Sequence, residues 1–199
     1  MKTLAWQQFF NEQRDLHGKA VFSVAELANA ARTTPHVVNT ELGRLMSRRI
    51  ITRYAQGRYG LAKGVEPEQL VQSLDPDAYI TGFYALFRRH LVTQVPTEIT
   101  CFTNRRHNRT FGRAVSPWKL KFIRVPSDIF SRPAESVIVQ AEQAFCDFVH
   151  LMIRDSVDPS HLVTFRNLDR LNRRRLRTTL QRYSDPVAKT VNRIIQSSH

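Results

Sequence analysis

Five side chains that can hydrogen-bond to the edges of nucleic-acid bases lie within eleven residues of one another. They are Thr34, His36, Asn39, Thr40 and Arg44. Asparagine suits adenine and arginine suits guanine, whereas hydroxyl groups reach either bases or phosphate. Four apolar residues recur among them at helical spacing: Val38, Leu42, Leu45 and Met46. The pattern therefore predicts a helix whose polar face enters the major groove of DNA, with Gly43 allowing a close approach.

Four arginines follow this predicted helix directly along the chain. They are Arg48, Arg49, Arg53 and Arg58. We expect them to bind phosphates or to enter the minor groove, and each phosphate neutralised steepens the salt dependence of binding by about one unit of log–log slope. Residues 1–64 carry ten basic and four acidic side chains, an excess that favours DNA over the alternative of a protein-interaction module.

Local signals mark the beginnings of the two helices that would position these side chains. Ser23 and Glu26 form a capping box, which predicts a helix from Val24 to about Ala31. Thr34 and Pro35 form a second start signal, because proline lacks the amide hydrogen that has no helical partner at that position. A tight turn is therefore expected between the two helices.

One more helix and three β-prone segments complete the predicted N-terminal domain. Apolar residues at helical spacing predict a first helix over Lys2–Gln13, and Ala20–Phe22 is a short β-prone run. Ile50–Tyr54 and Arg58–Leu61 predict the two strands of a hairpin. Helix, strand, helix, helix and basic hairpin is the order of a winged helix-turn-helix, which we predict for residues 1–64.

The rest of the chain is predicted to be a linker over residues 65–77 and a second domain over residues 78–199. Prolines and four acidic residues favour the linker. Apolar spacing predicts helices over Tyr79–Phe87 and Gln140–Arg154, and strands over Glu98–Thr103, Lys119–Val125 and Val137–Val139. We therefore expect an α+β protein whose second domain contains a small antiparallel sheet and ends in helices.

Two clusters of basic residues in this second domain are candidates for further contacts with nucleic acid. The connection 104–118 carries Arg105, Arg106, Arg109 and Arg113 with interleaved aromatic residues. The segment 166–182 contains seven arginines and one acid, among them Arg173, Arg174 and Arg177, with leucines that predict a buried stripe. A solvated arginine face is the alternative for each cluster.

Composition and motifs narrow the classes of function. The formal net charge is +13 at pH 7, which favours a polyanionic partner. Neither a membrane-spanning segment nor a secretion signal is recognisable, so we expect a cytoplasmic protein with no membrane partner. The sequence contains no Cys-x-x-Cys or His-Glu-x-x-His motif and no glycine-rich phosphate loop, so no enzyme activity, metal or cofactor is predicted. Asp147 and His150 lie one helical turn apart, and Asp155 and Asp158 follow. For these residues a helix-surface hydrogen bond or cap is favoured over acid–base chemistry or a metal site.

Short segments of the chain occur in an order that is similar to one bacterial family. The segments are 45–49, 57–59, 79–86, 95–99, 105–106, 122–126 and 141–147. In this order they resemble the AbiEi antitoxins of toxin–antitoxin and abortive-infection operons, over Ser23–Tyr59 and Asp77–Phe148. The chain departs from the family near Arg49, where a turn glycine is common, and at Gln140-Ala141, where Thr-Pro is usual.

The resemblance implies a negative autoregulator that binds inverted repeats in its own promoter. It further implies that the C-terminal domain counters a nucleotidyltransferase-like toxin, without requiring a stable complex between the two proteins. Two alternatives remain open at this point. One is a stand-alone winged-helix transcription factor with a ligand-sensing or dimerising C-terminal domain, and the other is an RNA-binding module.

Overall fold

The structure, a computed structural model, describes residues 2–105, 109–111 and 119–197. The chain is of mixed α+β class, as predicted, and its main boundary lies between Pro76 and Asp77. Each of the two units on either side of this boundary has its own sheet.

The first unit contains four helices and a three-stranded sheet among its described residues. In chain order they are α1 (Thr3–His17), β1 (Val21–Ser23), α2 (Val24–Ala30), α3 (Pro35–Ser47), β2 (Ile51–Ala55), β3 (Arg58–Leu61) and α4 (Pro67–Leu74). The strand order is β1-β3-β2, and both pairings are antiparallel. Gly60 permits the close approach of β3 to β1, because a Cβ atom there would lie 2.1 Å from the backbone oxygen of Ala20.

An aromatic cluster forms the core of this unit. The rings of Trp6 and Phe10 are stacked with their centroids 5.8 Å apart, and Phe10 meets Phe22 at 5.4 Å. Apolar residues of α2, α3 and β2 belong to the same buried cluster: Leu27, Val38, Leu42, Leu45 and Ile51. The inner face of α3 is thereby held against α1 and the sheet.

The segment 65–77 differs from the linker that the sequence predicts. Residues Pro67–Leu74 form helix α4, which packs against β1. Pro67 occupies the first turn, where proline is compatible with a helix, and the backbone N–H of Glu66 donates to Oε1 of Gln69 at 3.2 Å. Leu70 and Val71 are buried, so residues 65–76 belong to the first unit as part of its packed structure.

Replacement of Leu70 by alanine tests whether α4 contributes to stability. Because Leu70 is 1% exposed, Leu70→Ala should lower the free energy of unfolding by about 2–5 kcal/mol, as buried leucines do elsewhere. Gln72→Ala, an exposed change on the same helix, should change it by less than about 0.5 kcal/mol. Chemical denaturation of the full chain measures both, and equal effects of the two changes would contradict the packed helix.

The second unit combines a four-stranded sheet with several helices. Its elements are β4 (Tyr79–Thr81), α5 (Gly82–Arg88), β5 (Glu98–Thr103), β6 (Arg109–Phe111), β7 (Lys119–Arg124), α6 (Ala141–Arg154), α7 (Pro159–Leu162), α8 (Arg173–Leu180) and α9 (Asp185–Ser197). The strand order is β4-β5-β7-β6, and α6 packs against α5, α8 and α9. The predicted strands Glu98–Thr103 and Lys119–Val125 are confirmed as β5 and β7 to within one residue, and the predicted helix Gln140–Arg154 is confirmed as α6 with the same precision.

Two element predictions in this unit are wrong. Residues Tyr79–Thr81 form strand β4, antiparallel to β5, and the helix begins only at Gly82. Spacing alone misassigned them because a short run that is buried on both sides has no period that separates strand from helix. Val137–Val139 does not form a strand, since Ile138 makes one isolated parallel bridge to Ile80.

Candidate nucleic-acid interface

Helix α3 has one buried side and one polar, exposed side. Its N-cap is Thr34, whose hydroxyl accepts a long hydrogen bond of 3.5 Å from the backbone N–H of Val37. Val38, Leu42 and Leu45 are each at most 1% exposed. The five residues singled out for base contacts are all exposed: Thr34, His36, Asn39, Thr40 and Arg44.

Helical geometry orders these residues around the axis of α3. At about 100° per residue, His36 and Thr40 lie in the middle of the exposed side together with Gly43. Asn39 and Arg44 lie on opposite flanks of that side. The sequence therefore predicted which side of α3 is exposed but did not distinguish the centre of that side from its edges.

Two further features of this face came only from the structure. Val37 is 48% exposed, although its apolar type would suggest burial, and such a side chain can contact the methyl group of thymine. Arg44 forms an ion pair with Glu41, with Nη1 and Oε1 3.1 Å apart, and the Arg44 side chain remains 69% exposed. Surface pairs of this kind contribute little, so Arg44 can leave its partner at small cost.

The arginines at the end of α3 lie at a defined turn. Arg48 ends the helix and donates from Nη1 to Oγ1 of Thr3 at 2.8 Å. Arg49 follows with a left-handed backbone, φ 57°, and Arg48 and Arg49 are both exposed. In the AbiEi family, which the sequence resembles, a glycine is common near Arg49. The left-handed backbone at Arg49 is a conformation that favours glycine.

The hairpin formed by β2 and β3 carries the remaining two arginines of the first unit's predicted set. Arg53 is exposed, and its Nε donates to the backbone oxygen of Ala55 at 3.4 Å. Arg58 is half-buried and pairs with Ala55 across the hairpin. The register of the two strands shifts between Arg53 and Ala55. Both cations belong to the strands that follow α3 in the chain.

The beginning of α2 is held by the capping box that the sequence predicted. The backbone N–H of Ser23 donates to Oε2 of Glu26 at 2.7 Å, and Lys19 Nζ lies 2.6 Å from Oε1. Although partial burial opposes the change, these hydrogen bonds lower the pKa of Glu26 to about 2. Glu26 is therefore ionised across the physiological range, which stabilises the helix that packs against α3.

The basic clusters of the second unit are only partly described. Arg105 is exposed at the end of β5, whereas Arg106 and Arg113 lie outside the described residues and only the backbone of Arg109 is described, in β6. The arginine-rich segment forms a short 3-10 turn, Leu168–Arg170, and helix α8 rather than one helix. Its predicted contact residues are all exposed on α8: Arg173, Arg174 and Arg177.

A buried carboxyl group in the second unit has a raised pKa. Asp147 on α6 is fully buried and accepts hydrogen bonds of 2.5 Å from Thr81 Oγ1 and Tyr183 Oη. Burial raises the pKa of Asp147 to about 7, although these hydrogen bonds and the nearby Arg182 oppose the rise. The sequence prediction of a surface cap is wrong for this residue, because α6 is covered where Asp147 lies.

Two other kinds of site are not found among the described residues. Within residues 2–105, 109–111 and 119–197, no three His, Cys, Asp or Glu side chains converge where they could hold a metal ion. No helix in those ranges is long and apolar enough to cross a membrane. Cys101 and Cys146 do not form a disulfide, and both are buried.

Comparison with known proteins does not indicate a function for the chain. No protein-family model matches the chain, and no curated protein is significantly similar to it. The relationship to the AbiEi antitoxins therefore stays a prediction based on short segments. The exposed face of α3 and the arginines around it are the features of the structure on which a proposal of function can rest.

The raised pKa of Asp147 predicts how stability changes with pH. A carboxyl group whose pKa is higher in the folded than in the unfolded state favours folding below the unfolded value, about 4. That contribution is lost as the pH rises through about 7. Asp147→Asn should remove this decrease in the free energy of unfolding between pH 4 and 8, as measured by denaturant titration. Asp169→Asn, an exposed change of the same type, should retain it, and an unaltered profile in Asp147→Asn would contradict the assignment.

Gly43 predicts an opposition between stability and binding. A Cβ atom at this position would meet nothing within 4 Å, so alanine fits the free protein. Gly43→Ala should therefore raise the free energy of unfolding by about 0.5–1 kcal/mol, because alanine is the better helix former. If the α3 face contacts DNA closely, the added methyl group should at the same time weaken binding to duplex DNA. Thermal denaturation and fluorescence anisotropy measure the two effects, and tighter or unchanged binding would exclude a close approach.

Proposed function

We propose that the first unit binds double-stranded DNA as a winged helix-turn-helix domain. The observation that carries this proposal is the exposed polar face of α3, with arginines at its end and on the hairpin that follows. The element order α1-β1-α2-α3-β2-β3, with the sheet order β1-β3-β2, supports it. In such domains the second helix of the α2–α3 pair enters the major groove.

The residues around α3 divide into two proposed roles. Asn39 and Arg44 contact base edges from the two flanks, with His36 and Thr40 between them, and hydroxyl groups such as that of Thr34 reach phosphate or bases. Arg48, Arg49, Arg53 and Arg58 contact phosphates and set the register of the domain on the duplex. Because phosphate contacts release bound counterions, affinity should fall steeply as salt rises.

We further propose that the chain is a transcriptional repressor of its own operon and an antitoxin. The order of segments that resembles the AbiEi family supports this part, together with a second unit that is structurally distinct from the DNA-binding unit. In this proposal the second unit counters a nucleotidyltransferase-like toxin. A neighbouring reading frame for such a toxin, with repression of a reporter placed behind the chain's own promoter, supports the antitoxin. Repression without a toxin gene favours a stand-alone regulator.

A selection from randomised duplexes tests the proposed base contacts. Asn39→Ala should relax the preference at one base pair by about 1–3 kcal/mol while leaving the other positions of the site unchanged. Asn11→Ala, an exposed change on α1, is the matched control and should leave every position unchanged. Identical selected sites for wild type and Asn39→Ala would refute the groove assignment.

A parallel titration with single-stranded RNA addresses the alternative partner. The exposed arginines of α8 are the observation that favours it. Binding of RNA in preference to duplex DNA, with loss in Arg174→Ala and Arg177→Ala but not in Asn39→Ala, would replace the DNA proposal by an RNA-binding one.

A further inference from the structure

The turns before and after α3 share the same hydrogen-bonded backbone motif. At the end of α2, the N–H of Arg32 donates to Asn29 O at 3.1 Å, and the N–H of Thr33 donates to Ala28 O at 3.0 Å. At the end of α3, the N–H of Arg49 donates to Met46 O at 2.9 Å, and that of Ile50 donates to Leu45 O at 3.1 Å. These pairs define two Schellman motifs, each with arginine at the left-handed position.

The left-handed position in such a motif ordinarily favours glycine. Arg32 and Arg49 have φ values of 50° and 57°, and the end of α1 has Gly18 with a φ of 62°. His90 and Ser156 also adopt left-handed backbones in the second unit, so the conformation alone does not mark a binding surface. What distinguishes the first unit is that both turns bordering α3 place arginine there.

Both arginines are available for an external partner. Each is exposed, and neither guanidinium has a hydrogen-bond or ion-pair partner among the residues that the structure describes. The two backbone hydrogen bonds of each motif fix the direction in which the side chain leaves the chain, which lowers the conformational cost of binding. Arg32 is therefore an exposed cation on a fixed backbone, at a position that the sequence patterns placed merely in a turn.

The two cations flank α3 in the chain, Arg32 before its first residue and Arg49 after its last. Thirteen residues rise by about 18 Å from first to last Cα, and the major groove of DNA is about 12 Å wide. The two ends of a helix that enters the groove thus come close to the phosphates that border it. Arginine is well suited to phosphate because its planar guanidinium can donate two parallel hydrogen bonds.

We propose that Arg32 and Arg49 bind phosphates at the two ends of α3 and so fix its position along the groove. The inference rests on the proposed DNA-binding function and adds Arg32 to its contact residues. Each arginine occupies a left-handed position at which glycine would be more favourable. Replacement by glycine should therefore change stability and DNA binding in opposite directions. Arg32→Gly and Arg49→Gly should both make the protein more stable and less able to bind DNA.

The test measures thermal stability and DNA affinity in the same set of full-length variants. The probe is a labelled mixed-sequence duplex of about three helical turns, titrated at several salt concentrations. Arg32→Gly and Arg49→Gly should each raise the midpoint of thermal unfolding by about 2–4 °C, weaken binding roughly fivefold and reduce the log–log salt slope by about one. Ser156→Gly, at an exposed left-handed position of the second unit, should raise the midpoint similarly without any change in binding.

The variant Arg32→Lys keeps the positive charge and tests whether charge accounts for the contact. Arg32→Lys should bind with an affinity between those of the wild type and Arg32→Gly and should keep the salt slope, because the positive charge remains but the two parallel hydrogen bonds are lost. It should gain none of the stability of glycine. If the wild-type chain binds the duplex and Arg32→Gly binds it equally well with the same slope, the phosphate contact is refuted and the DNA-binding proposal stands. If Arg32→Lys binds as weakly as Arg32→Gly, a contact through charge is refuted. If the wild-type chain shows no salt-dependent binding to duplex DNA, the proposed function fails, and this inference fails with it.

Discussion

The polar surface of α3 exists because a single row of apolar side chains on its other side is buried. Val38, Leu42 and Leu45 join the cluster that contains Trp6 and Phe10, and residues three and four apart lie along one side of a helix. Burial of that row fixes the rotation of the helix about its axis. A turn of about 100° would bring Asn39 into the apolar core, where an amide without partners is costly. Every assignment of a residue to the exposed face follows from this packing.

The residues around that face are not those that would give the most stable fold. Gly43 interrupts an exposed helix where alanine would fit, and Arg32 and Arg49 occupy backbone conformations in which glycine is favoured. Elsewhere in the same unit the local choices favour stability, as in the capping box of Ser23 and Glu26. A concentration of unfavourable local choices around one surface is common where a surface binds a partner, because binding and stability place different demands on the same residues.

The second unit is organised around a helix that is covered on most of its surface. Helix α6 packs against α5, α8 and α9, and consecutive residues from Glu142 to Val149 are buried. Asp147 lies within this stretch and accepts hydrogen bonds from Thr81 in β4 and from Tyr183, which lies shortly before α9. The arginines of α8 remain exposed at the surface of the same unit. Leu176 and Thr179 are buried on the other side of α8, so this helix has an apolar inner side and a basic outer side, whereas α6 is covered on most of its surface.

The sequence by itself determined the α+β class, the beginnings of α2 and α3, and the residues of the exposed α3 face. These are local properties: a cap needs only side chains three residues apart, and an amphipathic stripe needs only a period. It did not distinguish β4 from a helix or α4 from a linker, because both depend on neighbours that are distant in the chain. Only the tertiary structure decided that Asp147 is buried, that Val37 is exposed and that Arg32 and Arg49 hold left-handed turns on either side of α3. Burial and backbone conformation at such positions are set by which elements pack together, and no short stretch of residues contains that information.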